Sequence, residues 1–209
     1  MNILILGAGN MGSALASRFA NAGHRVRIAA RTPGKAESVA AATGAQAYAP
    51  GQLLADDEVV VLVTGHADAV PALQALGPLD GNVVIDITNP LAADYMGLTL
   101  GHDTSAAEEI AKAFPTIELV KAFNTLFAQV LAQGPAFAGG QIATAFYAGD
   151  SERARQTARS LIESIGFAAQ DAGPLKNARY LEPLAGLNIW FGYGAGLGTD
   201  IAPAWIARE

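Results

Sequence analysis

A chain of 209 residues that is 51% hydrophobic can bury a core of its own without covalent staples. It contains no cysteine, which removes disulfide frameworks, zinc ribbons and thiol nucleophiles and fits a reducing compartment, so the cytoplasm is the expected location. Its 13 Lys and Arg against 19 Asp and Glu leave a net charge of −6, the wrong sign for non-specific attraction to nucleic acid or an anionic membrane.

The chain opens on a short apolar run, residues 2–6, that ends in Gly7. With no basic segment before it, this run reads as a buried strand rather than a signal peptide. Further runs of β-branched and aliphatic residues at 25–29, 59–63, 83–87, 118–121, 142–148 and 167–171 predict strands. Helical stretches at 11–22, 34–42, 67–76, 105–114, 126–132 and 151–165 lie between them. The 44 alanines and 23 glycines suit helices packed closely on a sheet. Strand and helix in alternation predict an α/β fold of Rossmann type, a doubly wound and mostly parallel sheet. Residues 1–174 form that domain, and residues 175–209 a short C-terminal helical extension. The uncharged stretch 183–199 holds five glycines and Asn188, which argues against a membrane-spanning helix. The loop 88–104 is long for its kind and follows a strand's carboxyl end, where open α/β sheets place ligands.

Gly7-Ala8-Gly9-Asn10-Met11-Gly12 follows a strand directly and opens a helix, the context that the GxGxxG pattern needs to bind a dinucleotide. The first glycine permits the turn, the second lets backbone approach a pyrophosphate, and the third brings the helix close. NAD-binding folds place an acid at the end of the second strand to take the ribose 2′-hydroxyl. Here that position reads Ala30-Arg31-Thr32-Pro33-Gly34-Lys35. Two cations and a hydroxyl suit a 2′-phosphate, so NADP(H) is the expected cofactor.

Two strands end in Asn89-Pro90 and Asn124-Thr125, and their tips should lie beside the nicotinamide half of the cofactor. Capping of the next helix is an alternative role for Asn124 or Thr125. The three histidines, His24, His66 and His102, form no metal-binding pattern, and no GxSxG elbow is present. No catalytic or metal-ligating residue is therefore assigned. Tyr180, Trp190, Phe191, Tyr193 and Trp205 gather near the end of the chain and read either as core and subunit interface or as a stacking wall for a planar ring.

Taken in order, Gly7 to Gly12, Arg31-Thr32 with Lys35, Asp86-Ile87-Thr88-Asn89-Pro90, Lys121-Ala122-Phe123-Asn124-Thr125 and the run from Asp171 to Glu182 resemble the deazaflavin-dependent NADP reductase family. A related domain forms the cytosolic half of six-transmembrane ferric reductases. The resemblance implies that Gly7, Gly9, Asn10, Met11 and Gly12 hold the pyrophosphate, and that Arg31, Thr32 and Lys35 hold the 2′-phosphate. It places Thr64, Asn89 and Ala122 along the nicotinamide, and Pro90, Asn124 and Leu175 near the second ring. One departure stands out: family members commonly have a proline soon after the fourth strand, where this chain has Thr64-Gly65-His66.

The expected activity is hydride transfer between NADP(H) and a small-molecule ring carrier, a deazaflavin or flavin, by a homodimer that binds neither nucleic acid nor membrane. Such a reaction asks the protein to hold two rings face to face and asks little acid–base chemistry of it. Two alternatives remain at this point: an NADP-dependent dehydrogenase of a small hydroxy acid or imine, and an NADP(H)-binding sensor or partner module without turnover.

Overall fold

The computed structural model describes residues 1–49 and 53–208. Its strands are β1 (Asn2–Leu6), β2 (Arg25–Ala29), β3 (Gln46–Tyr48), β4 (Val59–Leu62), β5 (Val83–Asp86), β6 (Glu118–Ala122), β7 (Thr144–Gly149) and β8 (Ala168–Asp171). Its helices are α1 (Asn10–Asn21), α2 (Pro33–Thr43), α3 (His66–Gln74), α4 (Ala106–Ala113), α5 (Ala128–Gln133), α6 (Glu152–Ser164) and α7 (Ala178–Ile189), the last continued by a π-helical turn at Trp190–Gly194. The strands form one sheet in the order β3-β2-β1-β4-β5-β6-β7-β8. The first six have the doubly wound order, which reverses direction between β1 and β4 and opens a crevice there.

Alternation along each central strand explains why both faces must be covered. Ile3 and Ile5, Val59 and Val61, and Val83 and Ile85 point to one side, into a core shared with Leu15 and Phe19 of α1 and with Leu161 and Ile162 of α6. Leu4 and Leu6, Val60 and Leu62, and Val84 point to the other, against Leu73 of α3 and Ile110 of α4. Apolar side chains on both faces are the signature of a parallel sheet with helices on each side.

Two features depart from the sequence expectation. The edge strand β3 is three residues long, too short to stand out by hydrophobic pattern. β7 runs antiparallel to β6, with Ala122 opposite Tyr147, and β8 runs parallel to β7. The link from β6 to β7 is therefore not a crossover of the usual kind; it consists of the six-residue α5 and a bend closed by the Ala136–Ile142 bridge. The chain leaves β8 at Asp171, level through Tyr147 with Ala122 at the end of β6, and heads away from the tips of β1 to β6. From there α7 climbs back toward the crevice. Among the described residues, no helix is long and apolar enough to cross a membrane.

Candidate functional site

Gly7 sits between β1 and β4 with φ +132°, and a β-carbon there would lie 2.2 Å from the Val63 carbonyl oxygen. At Gly12 a β-carbon would lie 1.9 Å from the Gly7 carbonyl oxygen. These two glycines are therefore demanded by backbone packing on backbone, which locks the loop against α1. Gly9 is different: nothing lies within 4 Å of where its β-carbon would be. Its bare backbone faces open space, as close approach by a ligand requires.

A first cavity of about 490 Å³ opens beside this loop. Gly7 and Gly9 line it together with Arg31, Thr32, Lys35 and Thr64, so five of the eight expected phosphate-binding residues converge, without Asn10, Met11 and Gly12. Thr32 is the N-cap of α2, yet its hydroxyl makes no capping bond, leaving it available to a ligand. The Thr64 hydroxyl is buried with no partner in the protein, and Gly65 beside it also lines the cavity. Asp68, in the first turn of α3, brings a carboxylate to the same cavity and accepts from Arg31 Nη1 at 3.2 Å. Sequence reading passed over Asp68 because an acid in a helix's first turn has a sufficient explanation in the helix dipole.

Asn10 and Met11 turn away from the first cavity and line a second one of about 280 Å³. Asn89 and Asn124 reach it from the tips of β5 and β6. The two are tied reciprocally: Asn89 Nδ2 donates to the Asn124 carbonyl at 2.9 Å, and Asn124 Nδ2 donates to Asn89 Oδ1 at 2.9 Å. Asn124 Nδ2 also donates to the Leu181 carbonyl at 3.0 Å, and Asn188 Nδ2 to the Thr125 carbonyl at 3.1 Å. These bonds anchor α7 to the strand tip. The N-cap of α5 is Phe127, so neither Asn124 nor Thr125 caps that helix. The Asn124 Oδ1 and the Thr125 hydroxyl are buried without a protein partner, and both residues line the second cavity.

The remaining wall is aromatic. Phe127 and Tyr193 pack edge to face with centroids 5.9 Å apart, and Tyr95 of the 88–104 loop joins them. That loop is a small flap: Leu91 bridges Leu98, Thr99 N donates to the Pro90 carbonyl at 2.7 Å, and Tyr95 at the tip holds φ +62°. Sequence reading placed Tyr193 in an aromatic tail with an undecided role and had no signal for Tyr95.

Four expected residues lie off these cavities. Gly12 is buried in α1 against the Gly7 carbonyl. Ala122 is buried in the core beside Phe123, and Pro90 is buried with its carbonyl accepting from Thr99. Leu175 does not join Pro90 and Asn124: it is buried with Ile110 and Leu119 on the other face of the sheet, and its N–H donates to Asp150 Oδ1 at 2.9 Å. The reversed direction of β7 and β8 puts it there.

Beneath the second cavity lies a buried ion cluster. Lys121 Nζ contacts Asp86 Oδ2 at 2.6 Å and Glu182 Oε1 at 2.9 Å, and donates to the Thr88 carbonyl at 2.6 Å. Glu182 also accepts from the N–H groups of Ala106 and Ala107 at 2.9 and 3.2 Å, at the start of α4. The ammonium is thus held between two carboxylates and a carbonyl, and the helix N-terminus adds positive potential against the carboxylates. A lysine inside the apolar strand Leu119-Val120-Lys121-Ala122 was the sequence signal, because such a charge is buried only when paired.

The family described as "NADP oxidoreductase coenzyme F420-dependent" matches residues 2–90. The chain is similar to a candidate F420-dependent NADP-reductase from Arthrobacter sp. FB24, with 29% identity, a TM-score of 0.84 and full coverage of both chains. It is also similar to a hypothetical protein from Sinorhizobium meliloti, with 30% identity and a TM-score of 0.77 over 85% of this chain and 88% of that one. Among curated proteins, the metalloreductase STEAP3 of Rattus norvegicus is 29% identical over 188 residues, which is 89% of this chain and 37% of the relative. The chain therefore spans a little over a third of the length of the curated relatives it matches.

Proposed function

Given that the chain belongs to the family of coenzyme F420-dependent NADP oxidoreductases, we propose that it transfers a hydride between NADP(H) and a flavin- or deazaflavin-like ring carrier. The observation that carries this reading is the pair of cavities flanking one glycine loop at the strand-order reversal. One is lined by two cations and free hydroxyls, the other by amides and aromatic rings.

In this reading Arg31, Thr32 and Lys35 take the 2′-phosphate, by a guanidinium fork, a hydroxyl and a point charge. The backbone at Gly7, Gly9 and Gly12, with the start of α1, takes the pyrophosphate. Thr64 offers its unpartnered hydroxyl in the first cavity. Asn10, Met11 and Asn89 face the nicotinamide, and Asn124, Phe127, Tyr95 and Tyr193 face the acceptor ring. When bound, NADPH supplies two electrons and a proton together as hydride, which an oxidised ring carrier takes up along with one proton from solution. The protein's share of the work is positional: the Asn89–Asn124 tie holds both strand tips in one geometry, and the aromatic wall excludes water. No side chain is assigned a proton-transfer role.

The test is a titration followed by turnover. NADPH and NADH binding are measured by nicotinamide fluorescence in the native protein and in Arg31→Ala. NADPH oxidation is then followed with deazaflavin, riboflavin, FMN, FAD and quinones. The reading expects a selective loss of NADPH affinity in the variant and turnover with at least one ring acceptor. Binding without turnover on any of them would point instead to a sensing module.

We further propose a homodimer through the C-terminal extension, supported by the exposure of Tyr180, Leu187, Trp190, Trp205 and Ile206. Light scattering across a concentration series distinguishes it from a monomer.

A further inference from the structure

The residues at the 2′-phosphate end of the first cavity do not all favour a phosphate. Arg31 leaves the end of β2 and reaches over the mouth of the cleft to Asp68 on α3, at 3.2 Å, with the Arg31 side chain largely in solvent and that of Asp68 half-buried. Lys35 and Thr32 line the same cavity, and Lys35 takes part in none of the ion pairs among the described residues. The site thus holds one uncommitted cation and one whose fork already faces an anion.

From this we infer that Asp68 is a specificity-determining residue for the dinucleotide: it competes with the 2′-phosphate for Arg31 and so reduces the preference for NADPH over NADH. The inference rests on the assignment of this cavity to the 2′-phosphate. A guanidinium grips an oxyanion best through two parallel N–H bonds, and a fork turned toward Asp68 must turn away before it can grip a phosphate in that way. The carboxylate is also a like charge beside an incoming phosphate. NADH brings no phosphate, so the Arg31–Asp68 pair persists in its complex and costs it nothing. The acid that NAD-binding folds carry at the end of the second strand is missing from β2, but its charge has returned to the cleft from the opposite wall. There it acts on the arginine that replaced it.

The experiment measures dissociation constants for NADPH and NADH by nicotinamide fluorescence, at one low ionic strength, in the native protein, Asp68→Asn, Arg31→Ala and the double variant. Asp68→Asn keeps the size of a half-buried side chain, and circular dichroism confirms that each variant is folded. An exposed ion pair of this kind sets the scale: Asp68→Asn is expected to tighten NADPH about two- to five-fold and to leave NADH unchanged. The gain shrinks in the Arg31→Ala background, because no guanidinium remains to be released. Unchanged or weakened NADPH binding in Asp68→Asn, or a gain of equal size without Arg31, overturns the inference. Equal losses of NADPH and NADH in Arg31→Ala overturn the phosphate assignment beneath it. A selective loss there with no effect of Asp68→Asn removes the competition alone.

Discussion

Glu182, on the C-terminal helix α7, meets Lys121 of the central strand β6 at 2.9 Å in a place where Lys121 has no solvent exposure. Through this contact the extension is fastened to the sheet directly beneath the strand tips that form the second cavity. Replacing Lys121 with Met leaves Asp86 and Glu182 buried without their cation, a change that costs about 3–5 kcal/mol in comparable sites. Urea unfolding should show a loss of that order. Glu182→Gln keeps an acceptor for Ala106 and should cost less, about 1–3 kcal/mol. Losses under 1 kcal/mol in both would mean that the cluster relaxes by admitting water.

The glycine loop gives a prediction that separates folding from binding. Gly12→Ala forces a β-carbon onto the Gly7 carbonyl, and both partners are backbone, so neither can step aside. Severe destabilisation or insoluble protein is expected. Gly9→Ala meets nothing and has φ −86°, which alanine adopts freely. Its stability should stay within about 1 kcal/mol of native while NADPH binding weakens, because the methyl group occupies the space through which a ligand reaches the backbone. Native-like NADPH affinity in Gly9→Ala would count against a pyrophosphate on this loop.

How far the sequence could be read follows from these same residues. Gly7 and Gly12 were legible because a fixed spacing after a strand reflects a local steric need. Arg31, Thr32 and Lys35 were legible because they are contiguous and follow the second strand. The ion cluster was half visible: a lysine in an apolar strand announces a partner, but its partners lie 35 and 61 positions away along the chain. Asp68 and Tyr95 were invisible, since each acquires its place only when β1 pairs with β4 or when the 88–104 flap folds over Asn89. The displacement of Leu175 has the same origin. Nothing in the composition of β7 reveals that it pairs antiparallel, and that one reversal turns the chain after β8 away from the strand tips, so that Leu175 packs beside Leu119 and Ile110.

The Asn89–Asn124 tie predicts a split between binding and turnover. Asn124→Ala removes donors to Asn89 Oδ1 and the Leu181 carbonyl, which should lower stability by about 1–3 kcal/mol. It leaves the first cavity intact, so NADPH affinity should change little. The expected signature is a raised KM for the ring acceptor or a lowered kcat. A large loss of NADPH affinity with normal acceptor kinetics would place the acceptor elsewhere.

The start of α4 supplies a prediction in pH. Ser105 accepts from the Glu108 N–H at 3.2 Å, and its hydroxyl donates to Glu108 Oε2 at 2.8 Å, an S-x-x-E cap. Arg179 of α7 closes on the same carboxylate with Nε at 2.9 Å and Nη2 at 2.7 Å. Hydrogen bonds from Arg179 hold the Glu108 carboxyl below its ordinary value, against an opposing effect of burial and with further help from Ser105. A carboxylate whose folded-state pKa is depressed binds its proton more readily when unfolded. It therefore stabilises the fold above the unfolded value of about 4.3, and that contribution is lost as pH falls through the lower folded value. Glu108→Gln should be less stable than native at pH 7, with the gap closing below about pH 4 as the native carboxylate is protonated too. Urea midpoints of both proteins between pH 7 and pH 3 test this, since other titrating groups cancel in the difference. A gap that stays constant over that range would show that the pair contributes through packing and not through charge.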